Sequence, residues 1–136
     1  MIVLIDNYDS FTYNLFQMIG SIDTDIKVLR NDYVNQSMIY ELKPTKIVIS
    51  PGPGHPKDAG NTIELIQNFH DSISILGICL GHQAIGYSFG ASIIKAKSIE
   101  HGKVHEINHF GHDIFLGVRD SFKATRYHSL VVDETT

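Results

Sequence analysis

The alternation of apolar runs predicts an α/β fold: an open, mostly parallel sheet with helices on both faces and added antiparallel strands in the C-terminal third. Three observations lead there. Short runs such as "IVLI" at Ile2 to Ile5 are apolar throughout, as in strands covered on both sides. They alternate with segments of helical period, and strand–helix–strand repeats imply right-handed crossovers and parallel pairing. Beyond Ala91 the texture changes to short strand-like pieces with glycine-containing turns.

Taken in order, "IVLI" is the first strand. "SFTYNLFQMIG" then reads as a helix with Ser10 as N-cap, Gly20 as stop, and Phe11, Leu15, Met18 and Ile19 on one face. Tyr8, Phe11, Tyr13 and Phe16 read as a core face plus surface aromatics rather than a binding stripe. "DIKVLR" is a second strand, and Gln36 to Leu42 a short helix closed off by Pro44. "KIVIS" is a third strand, "NTIELIQNF" a helix, and "ISILGI" a fourth strand leading into "HQAIGYSFG", a helix that ends at Gly90. "ASIIKAK", "GKVHEI" and "FKATRYH" read as antiparallel additions at a sheet edge.

Composition narrows the classes. At 136 residues the chain reads as one domain, 1–136, with room for a real core. Its 43% hydrophobic and 19% charged residues exclude a disordered chain. A net charge of −4 supplies no electrostatic reason to bind nucleic acid or an acidic membrane. One cysteine cannot form an intrachain disulfide, and four apolar residues before Asp6 are too few for a signal-peptide core. A cytoplasmic protein is the expectation.

Two loops fall where parallel sheets hold ligands, at the carboxyl ends of strands. The first is Gly77-Ile78-Cys79-Leu80-Gly81, with the G-x-nucleophile-x-G spacing of a nucleophile elbow and cysteine in the central place. Such a turn strains the nucleophile's backbone and leaves no room for side chains two residues away. It also sets Cys79 at a helix N-terminus, where the dipole and free N–H groups favour a thiolate. A buried structural cysteine beside ordinary glycine turns is the competing reading. The second loop, "SPGPGHP" from Ser50, is rigid and slender. Its free donors come chiefly from Gly52, Gly54 and His55, because proline has no N–H. One of them, beside the N–H of Leu80, would form an oxyanion hole; a stiff connector is the alternative. No G-K-[ST] follows, so it is not a phosphate loop.

Together "DNYDSFTYN" from Asp6, "SPGPGHP", "GICLGHQAIG" from Gly77, "HGK" at His101 and "RYHSL" from Arg126 resemble the class I (triad) glutamine amidotransferases across the whole chain. The first of these is similar to the chorismate-using members, the amidotransferase subunits of anthranilate synthase and of para-aminobenzoate (aminodeoxychorismate) synthase. The resemblance implies a flavodoxin-like fold and no cofactor or metal. It implies L-glutamine as substrate, Cys79 as nucleophile, and Gly52 and Leu80 as oxyanion donors. Gly52, Pro53, Gly54, Gln83, Ser129 and Leu130 would bind glutamine. It also implies a heteromeric complex with a large chorismate-binding synthase subunit, in tryptophan or folate biosynthesis, with no nucleic acid or membrane partner. Gln83, four residues past Cys79, shares its face of the following helix and would reach the mouth of the site.

The family's general base comes from a His-x-Glu near the C-terminus, and none of the eight histidines here begins that motif. The expectation is therefore an amidotransferase domain incomplete at its C-terminus, with His128 as the resident alternative base. His101, His105, His109 and His112 invite a metal reading, but extended chain and turns do not converge ligands as metal sites require. Two other classes compete with the enzyme. One is a non-catalytic subunit that docks on the synthase without making ammonia. The other is a cysteine-based redox protein sharing the sheet and elbow, against which "DNYDSFTYN" and "SPGPGHP" both speak.

Overall fold

The computed structural model describes the backbone of residues 1–136 and every side chain except that of Glu100. Two compact units are present, Met1–Ile94 with Val132–Thr136, and Lys95–Val131. In the first unit the chain runs β1 (Ile2–Asp6), α1 (Thr12–Gly20), β2 (Ile26–Arg30), α2 (Gln36–Leu42) and β3 (Lys46–Ile49). After a 3-10 turn (Pro56–Asp58) come α3 (Thr62–Phe69), β4 (Ser74–Gly77) and α4 (Leu80–Ser88). The four strands form one sheet in the order β2-β1-β3-β4, parallel throughout.

Period-2 alternation sends side chains to the two faces of this sheet, and both are apolar. Val3, Ile5, Ile47 and Ile49 point to one face, where they pack with Ile39 of α2, Leu65, Ile66 and Phe69 of α3, and Ala84 of α4. Ile2, Leu4 and Val48 point to the other and meet Leu15, Phe16 and Ile19 of α1. Uniformly apolar strands are what this double coverage requires, so the reading of "IVLI" and "KIVIS" as buried strands holds.

The register sets up the site. Ile5 lies opposite Ile49, and Ile49 opposite Gly77. The chain therefore leaves β1, β3 and β4 side by side, and the loops starting at Asn7, Ser50 and Ile78 emerge at one end of the sheet.

Helix α1 differs in detail from expectation. Its buried side is Thr12, with Leu15, Phe16 and Ile19 packed on the core, while Phe11 and Met18 are exposed. Positions 12, 15, 16 and 19 follow the i, i+3, i+4, i+7 rule, and 11 and 18 fall about a quarter turn or more from the centre of that stripe at 100° per residue. Ser10 is not the cap: Phe11 occupies the N-cap position without a side-chain bond. Asp9 closes the preceding turn instead, its Oδ1 accepting from the Phe11 N–H at 2.8 Å. Asp6 fixes the same turn, accepting from the Tyr8 N–H at 2.9 Å and the Thr12 hydroxyl at 2.7 Å. Helix α2 has the expected range and stops before Pro44, with Lys43 left-handed; the Asn35 side chain caps its start, accepting from the Met38 N–H.

In the second unit, β5 (Ile93–Asn108) and β6 (Ser121–Val132) pair with each other in a sheet of their own. Late residues of one meet early residues of the other: the Arg126 guanidinium donates to Ser98 O at 2.7 Å, and the His109 N–H donates to Asp120 O at 3.1 Å. That pattern is antiparallel. The strands do not extend the parallel sheet, which corrects the expectation of edge additions. Gly102 is also not a turn between two strands: it sits inside β5 at φ +77°, the conformation of a kink or bulge within a strand. Strands close in sequence pair at a smaller loop-closure cost than distant ones, which favours this self-contained ribbon.

Candidate active site

Cys79 sits where β4 hands over to α4. It has φ +54° and ψ −107°, outside the comfortable regions for a residue with a Cβ, and it is exposed. Both flanking glycines are sterically required. A Cβ at Gly77 would overlap the backbone of Gly81 and His82, and a Cβ at Gly81 would overlap the carbonyl of Ile49. The turn holds Cys79 out from the sheet because the backbone beneath it is packed without side chains. The turn has the strained backbone expected of an elbow, and Cys79 is not a buried core cysteine.

The thiol's electrostatics are less simple than its place at a helix N-terminus suggests. Desolvation by its surroundings pushes its pKa above the ordinary thiol value; the backbone N–H of Leu80 pulls it down, and the charge of Asp9 pushes it up. The helix terminus thus favours the thiolate, as expected, but partial burial outweighs it. Asp9 was not legible as a neighbour of Cys79, since more than sixty residues separate them in sequence.

The "SPGPGHP" loop lies directly against the elbow. A Cβ at Gly52 would come within 2.6 Å of Leu80 Cδ2 and 2.6 Å of Asn7 Cβ, so the Gly52 backbone rests on both side chains. No described residue accepts from the Gly52 N–H. Both ends of the loop are held: Ser50 is bonded to Asn7, and the His55 ring packs edge-on against Tyr87 of α4, with centroids 5.4 Å apart. Gly54 has open space around it and owes its identity to a left-handed φ of +77°. Pro53 is exposed beside it. Gln83 is buried in the first turn of α4, which excludes the picture of a solvated helix residue.

Cys79, Leu80, Gln83 and the Gly52–Gly54 segment thus all belong to the first unit and gather at the carboxyl end of its sheet. Ser129 and Leu130 lie on β6 in the second unit, half-buried. His128, the resident alternative base, has both ring nitrogens engaged: Nε2 accepts from Arg126 Nε at 3.2 Å, and Nδ1 pairs with Leu130 O at 2.9 Å. Both contacts stay within β6. Among the described residues, no group of three or more His, Cys, Asp or Glu side chains converges to hold a metal ion. His109 instead stacks on Phe115 at 4.5 Å and bonds to Arg119 O. An open cavity of about 410 Å³ lies against β2, lined by Tyr8, Val28, Leu29, Arg30, Asp32 and Tyr33, and includes none of the candidate site residues.

The sequence model of the family described as Glutamine amidotransferase class-I matches residues 3–136. The chain is 53% identical to anthranilate synthase component 2 of Pyropia yezoensis over 133 residues, covering 98% of this chain and 70% of that protein. It is 47% identical to the aminodeoxychorismate/anthranilate synthase component 2 of Bacillus subtilis (strain 168), covering 100% of this chain and 70% of the relative. Among solved structures, a protein described as a GMP synthase subunit from Thermoplasma acidophilum superimposes with a TM-score of 0.83 at 26% identity. That match covers 98% of this chain and 66% of the other. No helix here is long and apolar enough to cross a membrane. Sequence model, relatives and fold agree, and the chain belongs to the class-I glutamine amidotransferase family.

Proposed function

We propose that this chain is the glutamine-hydrolysing part of an anthranilate synthase, working in the cytoplasm and delivering ammonia to a large chorismate-aminating subunit. The observation that carries the reading is Cys79, held at φ +54° between two sterically obligatory glycines with Gly52 packed against Leu80. In this reading the Cys79 thiolate attacks the side-chain carboxamide carbon of L-glutamine. The developing oxyanion is met by the N–H groups of Gly52 and Leu80. Protonated nitrogen leaves as ammonia, a γ-glutamyl thioester remains, and water releases glutamate. Gln83, Pro53 and Gly54 would hold the substrate.

The thioester step needs a base and an acid, and His128 is engaged elsewhere. None of the eight histidines begins a His-x-Glu, and we propose that none of them supplies this base. A second reading, the amidotransferase of aminodeoxychorismate synthase, is favoured by the Bacillus subtilis relative, whose name joins both synthases. Gel filtration with the large component of each synthase in turn tests the assignment. Co-elution only with the large component of anthranilate synthase supports the first reading, and co-elution only with that of the aminodeoxychorismate enzyme replaces it with the second. Binding to neither removes the partner from the account.

A further inference from the structure

Asn7 is 2% exposed and stands just past the end of β1, against the "SPGPGHP" loop that leaves the neighbouring strand β3. Its backbone N–H donates to Ser50 Oγ and its Nδ2 donates to Ser50 O, both at 2.9 Å. On the opposite side its Oδ1 accepts from Asn31 Nδ2 at 2.9 Å and from the Thr62 hydroxyl at 3.3 Å. Two donors from other elements thus turn the carboxamide so that its N–H faces the Ser50 carbonyl. Ser50 in turn donates its hydroxyl to Pro51 O at 2.7 Å, passing the constraint toward Gly52. Asn7 is also the wall against which Gly52 rests, since a Cβ there would meet Asn7 Cβ at 2.6 Å and Asn7 O at 2.9 Å.

We propose that Asn7 is a positioning residue for the oxyanion site: held by Asn31 and Thr62, it tethers Ser50 and seats Gly52 against Leu80. The inference rests on the reading that Gly52 and Leu80 face the reacting carbonyl. Neither an aspartate nor an aliphatic residue meets these constraints. An aspartate of the same shape would set a carboxylate oxygen against the Ser50 carbonyl, and an aliphatic side chain would strand the Asn31 and Thr62 donors.

The test uses the 136-residue chain and two reagents for Cys79. The chloroketone analogue of glutamine is attacked with charge developing on its ketone oxygen, chloride leaving as the C–S bond forms. Iodoacetamide loses iodide by direct displacement and needs no oxyanion donor. The ratio of the chloroketone rate at saturation to the iodoacetamide rate cancels changes in thiolate fraction and in analogue binding, and so reads the activation of the ketone. In Asn7→Asp the ratio is expected to fall roughly 10- to 100-fold, the scale of a displaced donor. Ile66→Val trims a core side chain of α3 that the proposal does not use, and is expected to lower Tm while leaving the ratio within about 2-fold. If Asn7→Asp does not fold, Ser50→Ala, at the other end of the tether, is expected to lower the ratio by about 10-fold. An unchanged ratio in folded Asn7→Asp, or an equal fall in Ile66→Val, overturns the proposal. If Gly52→Ala lowers the ratio and Asn7→Asp does not, the oxyanion reading stands and only Asn7's role fails. A wild-type chain that shows no glutamine-protected reaction with the chloroketone overturns both.

Discussion

Replacing Gly52 by alanine tests the contact between the two loops with the smallest possible perturbation. The added methyl would lie 2.6 Å from Asn7 Cβ, 2.6 Å from Leu80 Cδ2 and 2.9 Å from Asn7 O. Carbon atoms pack at about 3.5–4.0 Å, so roughly 1 Å must be found. Leu80 Cδ2 is a side-chain tip and can swing aside. Asn7 cannot, because four hydrogen bonds hold it. The loop itself therefore retreats by about 1 Å, and misplacement on that scale costs about 10²-fold in a reaction that needs the donor in place. Overpacking of this kind also costs about 1–3 kcal/mol of stability, leaving a folded protein. The assay is the rate of Cys79 labelling by the glutamine chloroketone relative to iodoacetamide, with a urea melt as companion. A folded Gly52→Ala variant that keeps the wild-type ratio would refute the argument, because the loop would then play no part at the thiol.

Three further outcomes are expected. Asp9 raises the thiol pKa, so Asp9→Asn should move the midpoint of the pH–alkylation curve to lower pH; the wild-type midpoint should lie above the ordinary thiol value of about 8.5. Asparagine keeps an oxygen for the Phe11 N–H, so a shift in the other direction would contradict the electrostatic assignment. In urea titrations Gly81→Ala, which drives a methyl onto the Ile49 carbonyl, should cost more than about 2 kcal/mol, whereas Gly20→Ala, with open space around it, should cost nothing or stabilise by up to about 1 kcal/mol. Ammonia release from glutamine by residues 1–136 should stay near the level of Cys79→Ala even with the large synthase component present, and a fused segment bearing His-x-Glu should restore it; turnover at an ordinary enzymatic rate without that segment would place the base among the resident histidines.

What the sequence reveals here follows from how local each signal is. Strands β1 and β3 are buried on both faces, so their apolar runs identify them without tertiary knowledge. The elbow is equally legible, because the two glycines that flank Cys79 answer to clashes within five residues and the adjoining strand. The face of α1 is less so: Phe11 and Met18 are apolar residues left exposed, and only the packing of Leu15, Phe16 and Ile19 shows which stripe turns inward. The pairing of β5 with β6 depends on contacts between strands, which short apolar pieces do not specify. Asn7 is the clearest residue missed. It lies in the quoted "DNYDSFTYN", yet its four hydrogen bonds reach segments 24, 43 and 55 residues away, and nothing local marks it as a tether. The only available signal is a polar pair, Asp6-Asn7, placed at the buried end of an apolar strand.

The central claim is that Cys79 is a nucleophile aimed at the side chain of glutamine. Mass-spectrometric mapping of the chain after reaction with the chloroketone analogue of glutamine, with and without excess L-glutamine, tests it most directly. The account predicts a single adduct on Cys79, slowed by glutamine and absent in Cys79→Ala. Label on other residues, or labelling of Cys79 that glutamine does not slow, would contradict it.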